Sequence, residues 1–181
     1  MKVFIGKPDD LLNRSNKECK EYDVLDKMKI VYERVDHAPL YTMADYQDVE
    51  KSMKEGKVFK NLFLCNRQQT KFYLLFLPGD KKFKTKEISN QINSARLSFA
   101  TEDKMQELLH VTMGACSPLC LINDVEQKVT FLIDQDFLKE KYILIHPLVN
   151  TTTLKLKCED LLKVIEQGAR HTIQYVALKG E

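Results

Sequence analysis

The sequence has no tryptophan, and among its 181 residues are only 6 glycines and 5 prolines. Such low glycine and proline content excludes collagen-like and low-complexity chains. Its longest apolar runs, such as "YLLFLP" at 73–78, are strand-length and far below the roughly 20 residues of a membrane helix. The opening "MKVFIGKPDD" has too short an apolar stretch for a signal peptide. We therefore expect a globular, cytoplasmic protein with no membrane association.

A strong charge of either sign is also missing. The 28 basic and 26 acidic residues leave a net charge of +2, which gives no overall electrostatic signature of nucleic-acid binding. Lysines do cluster at 50–60 and 80–86. Such runs are usually solvated faces, although they allow contact with the end of a nucleic acid. Neither common type of phosphate-binding glycine loop is present.

The five cysteines form no recognisable disulfide or metal pattern. Their number is odd and no secretory signal precedes them, so reduced thiols are expected. One pair is spaced C-x3-C, with no second Cys/His pair at ligand spacing nearby, so we expect no metal site. The cysteines are Cys19, Cys65, Cys116, Cys120 and Cys158.

The periodicity of apolar residues indicates many short strands mixed with about five helices. A helix is expected over 17–29, and another from Thr42, with Asp45 in its first turn, to about Met53. "FKNLFLCN" and "KFYLLFLP" predict one hairpin, and "LCLIND" and "KVTFLID" a second. The predicted fold is a mixed α/β domain whose largely antiparallel sheet is surrounded by helices. We expect a single domain over 1–181, with 1–19 a candidate N-terminal extension.

Three polar features fall at predicted strand ends or loops, where sites tend to be built. They are Lys60-Asn61, the "GACSP" loop at 114–118, and "HPLVNTTT" at 146–153. Lys60 is a compact cation and Asn61 both donates and accepts hydrogen bonds. Gly114 can bring main-chain N–H groups up to a ligand, and His146 offers a donor or acceptor. The combination suits polarisation of an ester or carbonyl near a phosphate.

Other assignments of these residues stay open. Ser98 and Ser117 lack a nucleophile-elbow context. A Cys116–His146 dyad is a further candidate, since such partners meet in space rather than in sequence, although a small buried thiol is the commoner role of cysteine. His37 and His146 each closely precede a proline, and either suits a structural hydrogen-bonding role.

The order of motifs carries a resemblance over roughly residues 20–177. The chain is similar to the free-standing prolyl-tRNA editing proteins of the YbaK-like superfamily, and most similar to the branch that hydrolyses alanyl-tRNA carrying proline's anticodon. The motifs are "HAPLYT", "KNLFL", "LSFAT", "LLHVTMGACSPLCLIND", "VTFLID", "HPLVNTTTL" and "DLLKVIEQGARH".

This resemblance implies a compact α/β domain that acts in trans on the acceptor end of mischarged proline tRNA, without metal or cofactor. It implies that Lys60, Gly114 and His146 are catalytic. Prolyl-tRNA synthetase is a further candidate partner, and the protein is expected to be a monomer or homodimer. Cys116 and Cys120 depart from the family pattern and affect the expected pocket volume. The expected substrate-binding residues are Asn61, His37, Thr42, Leu62, Ala115, Cys116 and Ser117.

The resemblance also implies a mechanism. Alanine cannot be excluded by size from a pocket built for proline, and a lost methylene discriminates by only about 1–3 kcal/mol, so a second sieve is useful. We expect its walls to come from 37–43, Leu62 and 114–118. Lys60 would fix the terminal nucleotide or carbonyl, amides after Gly114 the oxyanion, and His146 the ribose or water, with no protein nucleophile. Alternatives are the same chemistry on cysteine or another small residue, or a non-catalytic module binding tRNA or an amino acid.

Overall fold

The computed structural model describes residues 1–180, in which nine strands form one mixed sheet. The strand order across the sheet is β1-β2-β8-β7-β3-β4-β6-β9, and β5 pairs with β3. The strands are β1 Phe4–Ile5, β2 Glu33–Asp36, β3 Gly56–Cys65, β4 Phe72–Pro78, β5 Ser98–Phe99, β6 Val129–Asp134, β7 Tyr142–Ile145, β8 Thr152–Lys157 and β9 Ile173–Val176.

The pairing confirms a mixed, largely antiparallel sheet. Strands β1–β2, β2–β8, β7–β8, β3–β4 and β3–β5 pair antiparallel. Strands β3–β7, β4–β6 and β6–β9 pair parallel. The predicted hairpin of β3 and β4 is present, with Phe59 opposite Pro78 and Cys65 opposite Phe72.

Five α-helices surround the sheet, and two of them begin at a polar capping side chain. Ser15 Oγ accepts the Glu18 N–H at 3.2 Å, and Thr101 Oγ1 accepts the Lys104 N–H at 3.2 Å. Such caps satisfy main-chain donors that a first turn leaves unpaired. The helices are α1 Asn16–Lys27, α2 Gln47–Ser52, α3 Thr85–Gln91, α4 Glu102–Leu109 and α5 Cys158–Lys163, which continues into a π-helical turn at Val164–Gly168.

The predicted second hairpin is wrong. Residues Pro118–Asn123 form a 3₁₀ helix, and β6 pairs in parallel with β4 and β9 instead. Pro118 suits the first position of a helix because its ring fixes φ and it has no N–H to satisfy. Leu119, Cys120 and Leu121 follow in succession and are fully buried, and such a short buried run has the same sequence pattern as a buried strand.

Alternation along β3 divides its side chains between two apolar layers. Phe59 and Phe63 pack into the larger layer with Phe76, whereas Leu62 and Leu64 pack into the smaller layer on the other side. Since neighbouring side chains of a strand point to opposite faces, Lys60 shares the side of Leu62, and Asn61 shares that of the phenylalanines. The "KN" pair therefore presents one polar group to each face of the sheet.

A gap opens in the sheet beside these two residues. The parallel pairing of β3 with β7 covers only Gly56–Val58 opposite 142–144. Beyond Val58, β3 continues along β4 while β7 continues along β8. The diverging strands leave space between 59–61 and the end of β7.

Residues 1–19 contact the rest of the chain through β1 and α1. Strand β1 pairs with β2, and the Arg14 guanidinium binds Asp36 at 2.9 Å and Glu18 at 2.7 Å. Partial burial would raise the pKa of Asp36, but the guanidinium groups of Arg14 and Arg34 hold it far below its ordinary value. Among residues 1–180 no helix is long and apolar enough to cross a membrane.

Candidate functional site

A pocket of about 280 Å³ occupies the gap between β3 and β7. Four chain segments meet there: the middle of β3, the end of β7, the turn before Cys116, and the segment leading into α2. The lining residues are Leu40, Tyr41, Thr42, Met43, Tyr46, Val58, Phe59, Lys60, Asn61, Met113, Gly114, Cys116, Leu144, Ile145 and His146.

His146 directly follows β7 and is held by hydrogen bonds at both ring nitrogens. Nδ1 lies 2.7 Å from the Thr152 carbonyl oxygen, so it carries the proton and donates. Nε2 lies 2.5 Å from Tyr46 Oη and accepts from that hydroxyl. Burial lowers the pKa of His146 to about 4. The imidazole is therefore neutral at physiological pH, in a single tautomer.

Tyr46 was not predicted from sequence. It lies in a 3₁₀ turn, Met43–Tyr46, that immediately precedes α2. Burial raises its pKa to about 12, with Asp45 contributing, so the hydroxyl keeps its proton and can donate to His146. Asp45 fixes the start of the turn by accepting the main-chain N–H groups of Tyr41 at 2.8 Å and Thr42 at 2.7 Å. The helix start predicted at Thr42 corresponds to the beginning of this turn. Tyr46 is the fourth residue of the turn, and its position there was the one sequence signal that could have identified it.

Lys60 lies at the pocket edge and is anchored by main-chain carbonyls. Its Nζ donates to the carbonyl oxygen of Gly79 at 3.3 Å and also to that of Lys81. Partial burial lowers the pKa of Lys60, whereas nearby Asp80 raises it. An ammonium has three donors, so one remains for a ligand.

Asn61 brings unpaired polar atoms to the gap. Its Oδ1 is buried and has no hydrogen-bond partner within residues 1–180. The Val58 carbonyl accepts from Gly79 on the β4 side, and the Phe63 carbonyl accepts from Ala100 on the other side. Alternation between these points directs the Asn61 main chain away from β4 and towards the gap. A buried acceptor without a partner costs about 1–3 kcal/mol, which a ligand donor could recover.

The turn at Gly114 corrects one part of the predicted mechanism. The amides after Gly114 are already used, since Ala115 N donates to Thr112 O at 3.1 Å and Cys116 N to Met113 O at 3.4 Å. This happens because Met113–Ala115 closes as a 3₁₀ turn. Among the described residues, the Gly114 N–H itself has no acceptor, so it is the amide left for a ligand.

Asn150 connects this turn to the segment leading into α2, and the sequence did not single it out. Its Oδ1 accepts the Leu40 N–H at 3.1 Å. A Cβ on Gly114 would lie 3.3 Å from Asn150 Nδ2. The glycine thus allows the turn and the Asn150 amide to pack closely.

Four of the predicted substrate-binding residues do not line the pocket. His37 lies behind His146, with ring centroids 6.0 Å apart, and its Nε2 contacts Thr153 Oγ1 at 2.8 Å. Leu62 points to the smaller apolar layer, Ala115 is buried in the larger one, and Ser117 is buried and donates to the His146 carbonyl at 2.7 Å. Thr42, Asn61 and Cys116 do line it, as do the three predicted catalytic residues.

The cysteines of the 116–120 segment are not arranged as a nucleophile with a base. Both nitrogens of His146 are occupied by Tyr46 and Thr152, and within residues 1–180 no hydrogen bond joins Cys116 to a histidine. Burial raises the pKa of Cys120 well above its ordinary value, which disfavours a thiolate. Among all residues from 1 to 180, no cluster of three or more His, Cys, Asp or Glu side chains is placed to hold a metal ion.

Comparison with known proteins gives consistent similarities. The family model of the aminoacyl-tRNA editing domain matches residues 37–164. The prolyl-tRNA editing protein ProX of Acetoanaerobium sticklandii is 33% identical over 142 residues, which span 78% of this chain and 86% of that protein. The prolyl-tRNA synthetase associated domain-containing protein 1 of Bos taurus is 30% identical over 145 residues, spanning 78% and 84%.

A solved structure shares the fold. It is described as a candidate trans-editing enzyme for prolyl tRNA synthetase and superposes with a TM-score of 0.65 at 12% identity, covering 92% of this chain and 99% of that one. At this identity the similarity shows the fold alone. Together with the family match and the relatives, it confirms the resemblance that the ordered motifs indicated.

Proposed function

Because the chain belongs to the aminoacyl-tRNA editing domain family, we propose that it is a trans-acting deacylase that removes alanine from mischarged proline tRNA. The observation that carries this proposal is the pocket between β3 and β7, which gathers Lys60, Asn61, Gly114 and His146 around about 280 Å³. The similarity to a prolyl-tRNA editing protein supports the choice of tRNA.

The pocket dimensions favour a small acyl group. Met43, Phe59 and Cys116 contribute bulk to its walls, and the Asn150 amide stands directly against Gly114. Alanine has one methyl group as its side chain, whereas proline's ring is larger and rigid. A synthetase pocket built for proline cannot exclude the smaller alanine by size. A smaller pocket in this protein can admit alanine and exclude proline.

Two polar groups suit the ends of the aminoacyl ester. We assign the Asn61 side chain, which lines the pocket and has an unpaired Oδ1, as the acceptor for the substrate's α-ammonium group. We assign the remaining donor of Lys60 to the phosphate of the terminal nucleotide or to the ester carbonyl. These contacts orient the ester before the chemical step, which lowers its entropic cost.

Hydrolysis then requires a positioned water and a stabilised oxyanion. Tyr46 Oη donates a hydrogen bond to His146, so its lone pairs remain as acceptors for a water or a ribose hydroxyl. Water adds to the ester carbonyl, the Gly114 N–H stabilises the oxygen that gains charge, and the bond to the ribose oxygen breaks. The water's proton ends on the leaving ribose oxygen, with the adjacent ribose hydroxyl as a relay. No side chain is acylated.

Deacylation assays test this proposal. The purified protein is incubated with alanyl-, cysteinyl- and prolyl-tRNA of the proline type, beside Lys60→Ala, Cys116→Ser and, as a matched control, Lys82→Ala. We expect hydrolysis of the alanyl ester, little of the prolyl ester, a large loss in Lys60→Ala, and near-normal rates in the other two. A dead Cys116→Ser variant would establish a thiol mechanism instead. If no ester is hydrolysed although tRNA binds, the protein is a binding module.

A further inference from the structure

A second concave surface lies near Cys65, at the C-terminal end of β3. Two depressions, of about 860 and 420 Å³, share Thr85 and Arg96 and together form a groove between β5 and the face of α3. We call this the α3–β5 groove. Its lining residues are Arg67, Gln68, Thr85, Lys86, Ser89, Asn90, Ser94, Ala95, Arg96, Leu97, Ser98 and Phe99.

The groove is positively charged. Arg67, Lys86 and Arg96 are exposed there, and no aspartate or glutamate is among its lining residues. Of the ion pairs found within residues 1–180, none involves these three side chains. In a chain whose net charge is only +2, three cations in one groove that has no acidic lining residue mark a site for an anion. Serine, threonine, asparagine and glutamine side chains supply the remaining polar contacts.

An exposed aromatic ring stands at the edge of the groove. The Phe99 side chain is 63% exposed, although large apolar side chains are usually buried. Its ring packs against Phe83 with an interplanar angle of 66° and centroids 6.1 Å apart. This edge contact fixes the ring while leaving a face open. Positive charge beside an open aromatic face is the combination that binds single-stranded nucleic acid, through phosphate contacts and base stacking.

The groove is aligned with Lys60 along one side of β3. Phe99 pairs with Leu64, and directly opposed residues of paired strands point to the same side of the sheet. Lys60, Leu62 and Leu64 share that side, and Leu62 and Phe83 both pack, partly buried, against the smaller apolar layer. Lys60 and Leu64 are separated by about 13 Å, at roughly 3.3 Å per residue. A stacked strand rises about 3.4 Å per nucleotide, so about four nucleotides span this distance.

We propose that the α3–β5 groove binds the unpaired 3′ strand of the tRNA, with a base stacked on Phe99 and phosphates on Arg67 and Arg96. This inference rests on the proposed function, which places the terminal ester of the tRNA at Lys60 and so sets the direction in which the RNA strand runs. The nucleotides between follow β3 over Leu62 and Phe83. Leu62, which the sequence placed in the pocket wall, thus lies on the path of the strand.

Matched variants and two substrates test the groove. The variants are Phe99→Ala, Phe99→Tyr, the double variant Arg67→Ala/Arg96→Ala, and Lys17→Ala/Lys20→Ala, which removes the same charge from exposed positions of α1. Each is assayed on alanyl-tRNA and on alanyl-adenosine, which has the ester without upstream nucleotides. Binding of a fluorescent RNA with the single-stranded 3′ sequence of proline tRNA is measured in parallel by anisotropy.

We expect Phe99→Ala to reduce kcat/KM for alanyl-tRNA about tenfold, since one stacked base contributes this much, and Phe99→Tyr to restore it. The double variant Arg67→Ala/Arg96→Ala loses two arginine–phosphate contacts. The negative slope of its log affinity for RNA against log salt concentration should therefore be shallower by about 1.4. Activity on alanyl-adenosine and all properties of the α1 control should stay unchanged.

Two results separate the inferences. If the groove variants hydrolyse alanyl-tRNA and bind RNA as the wild type does, the groove inference is overturned while the proposed function stands. If the wild type hydrolyses neither ester, the proposed function fails, and the anisotropy measurements alone decide whether the groove binds RNA.

Discussion

Tyr46 Oη lies 2.5 Å from His146 Nε2, although 100 residues separate the two in sequence. The tyrosine donates this hydrogen bond, because burial raises its pKa to about 12, and the Nδ1–H of His146 donates to the Thr152 carbonyl. The histidine is therefore fixed as a neutral acceptor. We propose that its role is to orient the hydroxyl of Tyr46, a residue that lines the pocket.

Replacing the tyrosine tests this relationship. We expect Tyr46→Phe to lower kcat for alanyl-tRNA about tenfold with little change in KM, since one oriented hydrogen bond is worth about 1–1.5 kcal/mol. Loss of the donor also removes a bond that favours the neutral imidazole, so the pKa of His146 should rise above about 4 in an NMR titration.

Tyr175→Phe is the control, because this tyrosine lies on β9, outside the pocket. It should change neither kcat nor the His146 titration. An unchanged kcat in Tyr46→Phe would show that the hydroxyl has no part in the reaction.

Asn61 should show opposite effects on stability and on activity. Its Oδ1 is buried without a partner in the free protein, and leucine has a similar volume without that acceptor. We expect Asn61→Leu to raise the free energy of unfolding by about 1 kcal/mol, measured in urea. The same variant should raise KM for alanyl-tRNA, since the substrate ammonium loses its acceptor.

Asn61→Asp is the matched substitution. It keeps an acceptor oxygen at the same place and should retain most of the wild-type affinity for substrate, while a buried carboxylate lowers stability. Equal KM values for the leucine variant and the wild type would remove Asn61 from substrate recognition.

The parts of the site that the sequence predicted are those carried by local pattern. Alternation in "VFKNLFL" places Lys60 and Asn61 on a strand, and the glycine at 114 indicates a tight turn. The ordered motifs then bring both together with His146. Lys60 and Asn61 lie in the middle of β3 rather than at a strand end as expected, whereas His146 directly follows β7. The order of the motifs, and not the local pattern alone, was the signal that selected these positions.

The parts that were missed depend on tertiary contacts. No local signal states that Tyr46 meets His146, or that Asn150 holds the Leu40 N–H across 110 residues. The 3₁₀ helix at Pro118–Asn123 was predicted as a strand because its three consecutive buried residues, 119–121, lack the periodicity that distinguishes a helix from a strand. Ala115 and Ser117 were expected in the pocket for their proximity in sequence to Gly114, yet the turn directs them into the core.

Asn150 should act through the segment that leads into α2. Asn150→Ala leaves the Leu40 N–H without its acceptor and loosens the side of the pocket formed by 40–46. We expect KM for alanyl-tRNA to rise about three- to tenfold, as one neutral hydrogen bond is worth about 0.5–1.5 kcal/mol. Asn150→Asp keeps the acceptor oxygen and should stay close to the wild type. Equal effects of the two substitutions would assign the role to the amide nitrogen beside Gly114 instead.

Glu21 should make stability depend on pH. Its Oε2 is buried without a partner among the described residues, and burial raises its pKa to about 8. Between its unfolded pKa of about 4.5 and 8, the unfolded chain releases a proton that the folded protein keeps, so stability falls as pH rises, by about 1.4 kcal/mol per unit at most.

Between pH 6.5 and 8 this effect is separated from that of His146. Because the folded pKa of His146 is lowered to about 4, its contribution rises with pH only up to its unfolded value of 6.5 and is constant above it. In urea titrations over pH 6.5–8 we therefore expect the wild type to lose about 2 kcal/mol, Glu21→Gln to stay nearly level, and the exposed control Glu50→Gln to follow the wild type. A Glu21→Gln profile parallel to that of the wild type would mean that the Glu21 carboxyl is already ionised at pH 6.5 in the folded protein.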